Sequence, residues 1–227
     1  QAWLDEGDFT RMNTWMGEVF HQRVEVDVAD VTAIDGWIDR LAAHGTRLVY
    51  SSGTSGNFSF IPRDAGSWQL FTTASSCYIA PLLLQRKAGA WWQRYLLRPA
   101  IRLLPPATFA RISRRIGVHD YDAVFLDFAS GHTGNQTLVH ELAGLFRRVF
   151  YLYDTTLSPT VLRLLARGPK TEQDQDALRQ LQDLVVTRKV ENYSRLVECM
   201  RRSTSEGQKI FIFGTTQQYK ELCELIL

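Results

Sequence analysis

The chain has 227 residues, of which 45% are hydrophobic, 11% aromatic and 22% charged, and its net charge is +2. These values are typical of globular proteins and exclude a disordered or collagen-like chain. The charge is unevenly distributed, because residues 1–64 carry 5 basic and 10 acidic side chains while residues 65–119 carry 8 basic and no acidic ones.

The first 45 residues are predicted to form a helical region at the periphery of the fold. Apolar side chains recur at spacings of three and four between residues 9 and 20, which predicts an amphipathic helix. A second helix is predicted around Trp37, with Asp30 as its N-terminal cap. The short apolar run at 47–50 predicts a buried strand.

After Asp64, which can cap a helix, residues 65–84 are predicted to be helical, and the basic segment 86–118 has a helical period broken by prolines. From residue 120 the chain alternates strands with helices. The predicted strands cover 123–128, 149–153 and 209–213, and the predicted helices cover 137–147, 171–185, 190–203 and 217–226, with another starting at 158–159. This alternation predicts an α/β fold, a mixed or parallel sheet with helices packed on it, next to a helical N-terminal region and a helical basic insertion.

The segment 51–59 packs five hydroxyl residues and two glycines into nine positions. Glycine allows positive φ, successive backbone N–H groups in such a turn bind anions, and hydroxyls add donors for phosphate oxygens. The candidate nucleotide-binding residues are Ser51, Ser52, Gly53, Thr54, Ser55, Gly56 and Ser59. Neither a Walker lysine nor Rossmann spacing is present, so two interpretations remain: a triphosphate loop, or a hairpin turn rich in Gly and Ser.

The string Ser-Ser-Gly-Thr-Ser-Gly at 51–56 resembles the phosphate loop of the adenylate-forming superfamily. That superfamily includes acyl-CoA ligases, luciferases and the adenylation domains of non-ribosomal peptide synthetases, whose loop usually continues with Pro and Lys. Here Phe58 and Ser59 take those places, which is similar to the acyl-protein synthetases of bacterial luminescence and to the plant acyl-acid amido synthetases. Ser59 and Asp64 together favour the acyl-protein synthetase branch.

The resemblance implies ATP-dependent activation of a carboxylic acid, fatty or aryl, as an acyl-adenylate, followed by transfer to a thiol or an amine. It implies ATP and Mg²⁺ as cofactors, with hydroxyl contacts to phosphate from Ser52, Thr54, Ser55 and Ser59. It also implies a partial adenylate-forming domain over 46–227, behind the helical region 1–45. The ribose-binding Asp and catalytic Lys of the family are expected beyond Leu227, so the visible chain alone is expected to be inactive.

Three other residues are candidate substrate-binding residues. His132 lies in a polar loop after a predicted strand, where α/β sheets bind ligands, although such a loop can also be a turn that caps the next helix. Gly214 and Thr215 end a predicted strand and are expected near the adenine or acyl pocket. Asp127 and Asp154 also end predicted strands and could coordinate Mg²⁺, but helix capping is the commoner use, and no metal site held by the protein itself is predicted.

The acid-free segment has several interpretations. Arginines between 86 and 115 are interleaved with Trp, Tyr and Leu at helical spacing, as on a surface that faces an acidic partner, an acyl carrier protein or an anionic membrane. An amphipathic insertion with solvated or paired arginines accounts for the same pattern. Nucleic-acid binding is not expected, because the chain is nearly neutral and lacks a recognised motif. The rival to the enzyme is therefore a non-catalytic α/β binding module that docks through this segment.

The cysteines Cys77, Cys199 and Cys223 lack the spacing of a zinc site or a redox pair. They are predicted on helices as buried free thiols, which favours a reducing compartment and a cytoplasmic protein. Neither a transmembrane run of about 18 apolar residues nor a signal peptide is predicted.

Overall fold

The fold is described by a computed structural model for residues 2–20, 24–51, 59–84 and 121–226, with the backbone alone for 76–84. In chain order the described elements are α1 (Ala2–Glu6), α2 (Phe9–Val19), α3 (Ile34–Ala43), β1 (Arg47–Ser51), β2 (Ser59–Arg63), α4 (Ala65–Leu84), β3 (Tyr121–Gly131), α5 (Gly134–Ala143), β4 (Val149–Leu157), α6 (Pro159–Arg167), α7 (Glu172–Gln182), a π-helical turn (Asp183–Thr187), α8 (Lys189–Ser205), β5 (Lys209–Phe213) and α9 (Thr216–Ile226). Within these ranges no helix has the length and apolar character needed to cross a membrane.

The strands form a three-stranded parallel sheet in the order β4-β3-β5 and a separate antiparallel hairpin of β1 and β2. The register of β3 on β5 runs from Tyr121 opposite Lys209 to Phe125 opposite Phe213. The central strand β3 is buried without a break from Tyr121 to Leu126, the pattern expected of a parallel strand with both faces covered. The predicted α/β class, with helices and a parallel sheet, is therefore confirmed.

Contacts divide the chain into two compact units. The first contains residues 1–68, 130–137 and 155–188, and the second contains 69–129, 138–154 and 189–227. The helices before residue 45 share a unit with the β1–β2 hairpin.

The core of the first unit is built by the N-terminal helices together with β1. Trp37 of α3 is fully buried, stacks on Phe9 of α2 at 5.7 Å between ring centroids, and donates its Nε1–H to Oδ1 of Asn13 at 2.7 Å. The cluster consists of Leu4, Phe9, Met12, Met16, Val28, Ile34, Trp37, Ile38, Leu41, Leu48 and Tyr50. The apolar stripes of these helices pack against β1, and their predicted position at the periphery of the fold stays a prediction.

The start of α3 also differs from the prediction. Ala33 occupies the N-cap position without a side-chain hydrogen bond, and the helix begins at Ile34. Asp30 instead receives two hydrogen bonds from the Arg40 guanidinium, at 2.8 and 2.9 Å, which lower the pKa of its carboxyl group. Asp30 is therefore not the cap, because its carboxylate is engaged by an arginine farther along the helix.

The core of the second unit is centred on the aromatic ring of Phe125 in β3. Tyr151 of β4 stacks on it at 5.8 Å, and Phe213 of β5 and Phe146 meet it edge-on at 6.1 and 6.2 Å. The buried members of this cluster are Tyr121, Ala123, Phe125, Val139, Leu142, Leu145 and Phe146. These contacts hold the three parallel strands and α5 in one core.

A fully buried carboxylate, Asp122, lies beside this core. It accepts hydrogen bonds from Arg148 Nη2 at 2.6 Å and from Arg147 Nε at 3.3 Å, and Glu206 pairs with the same two arginines. Burial alone raises the pKa of Asp122, but the hydrogen bonds from Arg148 and Ser203 and the charges of both arginines outweigh it and hold the pKa below its usual value. The cluster thus joins the start of β3 to the start of β4 and the end of α8.

Strands β3 and β4 extend beyond their predicted ends, to Gly131 and Leu157. Asp127 and Asp154 consequently lie inside the strands, and the prediction that they end them is wrong. Asp154 pairs with Arg195 at 2.5 Å, while Asp127 accepts a hydrogen bond from the next backbone N–H at 2.7 Å. Both carboxylates are therefore engaged by protein groups.

Candidate functional site

The segment that resembles a phosphate loop is carried by the antiparallel hairpin. β1 and β2 pair continuously from Arg47 opposite Arg63 to Ser51 opposite Ser59, so the connection over 52–58 leaves and re-enters the hairpin at this serine pair. Both serines are exposed. Their hydroxyls are therefore available at the base of the connection, and the strand predicted after the glycines is confirmed as β2.

The remaining members of the predicted loop lie outside the described residues. They are Ser52, Gly53, Thr54, Ser55 and Gly56. Their role as phosphate ligands stays a prediction, and the structure contributes the frame that holds both ends of their segment.

That frame is anchored in the core of the first unit. Tyr50 is 1% exposed and meets Phe60 of β2 edge-on at 6.4 Å, and Phe60 meets Trp37 at 5.5 Å. Burial, together with the charge of Asp35, raises the pKa of Tyr50, so its phenol stays neutral. A loop that starts from this hairpin has a rigid base, which favours pre-organised binding groups.

The polar loop that contains His132 lies directly beside β1. The N–H of Tyr50 donates to the carbonyl oxygen of His132 at 3.1 Å, and Tyr50 forms a parallel bridge with Thr133. A Cβ added to Gly134 would lie 3.7 Å from Cγ1 of Val49, so α5 begins against the same strand. Two segments selected independently from the sequence are therefore neighbours in the structure.

The side chain of His132 faces α3. Its Nε2 atom lies 3.7 Å from Oδ1 of Asp39, and about a third of the side chain is exposed. The alternative prediction, a capping role for this turn, is met by Thr133 and not by the histidine. The imidazole therefore lies outside the cap, next to a carboxylate.

The amino end of α5 is fixed by a reciprocal cap. The N–H of Gln136 donates to Thr133 Oγ1 at 3.3 Å, and the N–H of Thr133 donates to Gln136 Oε1 at 3.4 Å. This capping box explains why the helix starts at Gly134 and not at the predicted residue 137. A helix amino end carries partial positive charge, and this one begins beside β1.

Three further polar side chains lie near this loop, and none of them is among the candidates that the sequence predicts. Ser130 Oγ lies 2.5 Å from Thr156 Oγ1, near the carboxyl ends of β3 and β4, and Asp39 faces His132. A prediction of both strands at their full length would have placed Ser130 and Thr156 near the carboxyl ends, where α/β sheets bind ligands. Asp39 gave no signal, because its proximity to His132 arises only from folding.

Gly214 and Thr215 belong to the second unit, where the structure gives them local roles. A Cβ on Gly214 would lie 2.8 Å from Cβ of Leu126, so glycine allows the end of β5 to approach β3. Thr215 caps α9: its Oγ1 accepts from the N–H of Gln218 at 3.4 Å, and its own N–H donates to Gln218 Oε1 at 2.8 Å. Their predicted contact with substrate stays a prediction.

The described residues contain no group of three or more His, Cys, Asp or Glu side chains arranged to hold a metal ion. Cys199 is half-buried and Cys223 is exposed, so the prediction of a buried thiol is wrong for Cys223, which lies on the outer face of α9. The basic segment 86–115 and the side chain of Cys77 lie outside the described residues, and docking through that segment stays a prediction.

Compared with known proteins, the chain matches no family model, no curated protein and no solved structure. Its function therefore has to be inferred from its own residues.

Proposed function

We propose that this chain carries the phosphate-binding part of an ATP-dependent enzyme that activates a carboxylic acid as an acyl-adenylate, with the fold of the N-terminal part of an adenylation domain. The observation that supports the proposal is the hydrogen bond from Tyr50 to His132. It joins the hairpin that carries the loop 52–58 to the loop that follows β3, and loops after the carboxyl ends of parallel strands are where α/β proteins bind ligands.

The loop would bind the β- and γ-phosphates of ATP. Hydroxyls of Ser51 and Ser59 at its base, and of Ser52, Thr54 and Ser55 within it, are hydrogen-bond donors, and the two glycines allow the backbone to turn its N–H groups inward. The loop has no lysine. The amino end of α5 beside β1 supplies part of the missing positive potential.

Mg²⁺ would enter with ATP rather than occupy a cage built by the protein. The exposed hydroxyls of Ser51 and Ser59 are hard oxygen ligands and fit such an ion at the phosphates. When bound, it neutralises charge on the leaving pyrophosphate.

In the first half-reaction a carboxylate oxygen of the acid attacks the α-phosphorus of ATP. The bond from this phosphorus to the oxygen that bridges to the β-phosphorus breaks, and pyrophosphate leaves. In the second half-reaction a thiol or amine attacks the acyl carbon and AMP leaves. The chain's own contribution is to hold and orient the triphosphate for in-line displacement.

The proposal is tested by carboxylate-dependent exchange of labelled pyrophosphate into ATP, measured on the complete gene product with fatty and aryl acids. Thr54→Ala and Ser55→Ala should each slow exchange by about 10- to 100-fold, the effect of losing one hydrogen bond to a charged group. Thr204→Ala is the matched control, because this exposed hydroxyl only bonds the carbonyl of Met200 within α8.

Unchanged circular dichroism in all three variants would show that the fold is intact. If no carboxylate supports exchange and the protein does not bind ATP, the proposed enzyme activity is ruled out. If Thr54→Ala and Ser55→Ala both show wild-type kinetics, the loop does not belong to the nucleotide site.

A further inference from the structure

An imidazole and a carboxylate that have no part in holding the triphosphate lie side by side in the first unit. His132 Nε2 lies 3.7 Å from Asp39 Oδ1, and the two side chains are 33% and 72% exposed. An imidazole with one nitrogen directed at a carboxylate is the arrangement of a general base, because the carboxylate sets the orientation and tautomer of the ring. We call these two residues the His132–Asp39 dyad.

The backbone that carries the imidazole is fixed at three consecutive residues. A Cβ added to Gly131 would collide with the side chain of Gln136, the carbonyl of His132 accepts from the N–H of Tyr50 at 3.1 Å, and Thr133 caps α5. The side chain of His132 is nevertheless one third exposed. A fixed backbone therefore presents an imidazole that a substrate can reach, as a catalytic group requires.

The orientation of the ring determines which nitrogen can act as the base. With Nε2–H directed at Asp39, the lone pair of Nδ1 is the basic site of the neutral ring. The separation of 3.7 Å is longer than a hydrogen bond. Catalytic hydrogen bonds are often long in the absence of substrate and shorten in the complex, so this distance is compatible with the role.

The dyad lies beside the hairpin that carries the loop proposed to bind phosphate. Tyr50, whose N–H binds the carbonyl of His132, is followed directly by Ser51, where β1 ends and the connection 52–58 begins. Neighbouring extended segments run about 4.8 Å apart. The dyad and the loop are therefore close enough to serve one nucleotide.

We propose that His132 is the general base of the second half-reaction, that Asp39 is its positioning residue, and that the acyl acceptor is a thiol. This inference rests on the proposed function, because it concerns the fate of the acyl-adenylate. The proton of the thiol moves to Nδ1 of His132 while the sulfur forms a bond to the acyl carbon. The bond from this carbon to the phosphate oxygen breaks, and AMP leaves with the electron pair.

The base distinguishes between the two acceptors that the proposed function allows. A thiol is a weak nucleophile until it loses its proton, and it does so at a reference pKa of about 8.5. An alkylammonium group loses its proton only at about 10.4. A neutral imidazole therefore takes the proton of a thiol more readily, and the pairing of imidazole with sulfur is a recurring form of activation.

The test measures acyl transfer by the complete gene product from two synthetic probes, lauroyl-adenylate and benzoyl-adenylate. Pantetheine is the thiol acceptor, and hydroxylamine is an amine acceptor that is unprotonated at neutral pH and attacks without a base. The ratio of the thiol rate to the hydroxylamine rate should fall by at least about 100-fold in His132→Gln, the effect of losing a general base. It should fall by about 10-fold in Asp39→Asn, the lower end for losing a hydrogen bond to a charged group.

The ratio separates base catalysis from binding and folding, because both rates depend equally on a folded protein that holds the adenylate. His140→Gln and Asp176→Asn make the same chemical changes at exposed positions and should leave the ratio unchanged. An unchanged ratio in His132→Gln would overturn the proposal, and an unchanged ratio in Asp39→Asn would overturn the positioning role.

Pyrophosphate exchange by the same preparation reports on the proposed function separately. A wild-type protein that exchanges pyrophosphate but transfers neither acyl group to pantetheine would contradict the thiol and its base while leaving the adenylation step intact. A wild-type protein that neither exchanges pyrophosphate nor transfers an acyl group would contradict both proposals.

Discussion

At the scale of single residues, Asp122 is the most constrained charge of the described structure, because it is fully buried between Arg147 and Arg148. Asp122→Ala is expected to lower the free energy of unfolding by about 3 kcal/mol, the lower end of the range for breaking a buried pair, because both arginines are about one third exposed. Urea denaturation measures the loss. Asp176→Ala removes an exposed carboxylate that pairs with Arg179 and should cost less than about 0.5 kcal/mol. Equal losses of unfolding free energy in the two variants would contradict the conclusion that the buried Asp122 pair stabilises the fold more than an exposed pair does.

The same carboxylate predicts how stability changes with pH. The pKa of Asp122 is lower in the folded protein than in the unfolded chain, where it is about 3.9. Its stabilisation is therefore fully present above that value and is lost as the pH falls through the lowered folded value. The difference in unfolding free energy between wild type and Asp122→Asn should stay constant from about pH 8 to pH 5 and shrink toward pH 3. A difference that stays constant down to pH 3 would show that the charge of Asp122 does not stabilise the fold.

Gly214 is expected to act through packing. Its missing Cβ would lie 2.8 Å from Leu126 Cβ and 3.1 Å from Gln218 Oε1, so Gly214→Ala should destabilise the fold by about 1–3 kcal/mol. Gly144→Ala is the control, since a Cβ there meets nothing within 4 Å. Thermal unfolding of both variants measures the effect, and an unchanged melting temperature in Gly214→Ala would mean that β5 does not need this close approach.

At the scale of elements, helix caps explain residues whose identity the sequence left unexplained. Gln218 accepts from Thr215 through Oε1 and donates from Nε2 to the carbonyl of Leu126, a combination that only an amide provides. Gln218→Glu should therefore cost about 1–3 kcal/mol, because a carboxylate would face that carbonyl without a donor. Gln175→Glu, an exposed position in α7, makes the same chemical change and should be nearly neutral. Equal chemical-denaturation midpoints for the two variants would contradict this role of Gln218.

The existence and type of most elements could be predicted from periodicity, but their ends only in some cases. The strand over Lys209–Phe213 and the helix over Ala65–Leu84 were predicted with the bounds the structure has. β4 continues past its predicted end at residue 153 to Leu157, because the β-branched threonines after Asp154 suit a strand well. The start of α5 was missed because its capping box uses Gln136 where a glutamate is the more familiar signal.

At the scale of the whole molecule, the sequence could not predict which distant segments share a unit. Residues 155–188 join the N-terminal helices through contacts such as Asp35 with Thr160 at 3.2 Å, between positions far apart in the chain. For the same reason the hairpin and His132 were each recognisable as candidates, but their adjacency and the presence of Asp39 were not. Local sequence patterns predict which residues are buried and where turns occur. A site assembled from several elements depends on tertiary packing, which these patterns do not reveal.

We propose that the hairpin loop and the His132 loop form one nucleotide site. Amide hydrogen exchange of the 227-residue chain, measured with and without saturating Mg–ATP, tests this most directly. Because the N–H of Tyr50 is bonded to His132, we predict slower exchange in both 51–59 and 130–137 when the nucleotide is present. Exchange rates that remain the same in both segments would contradict the claim.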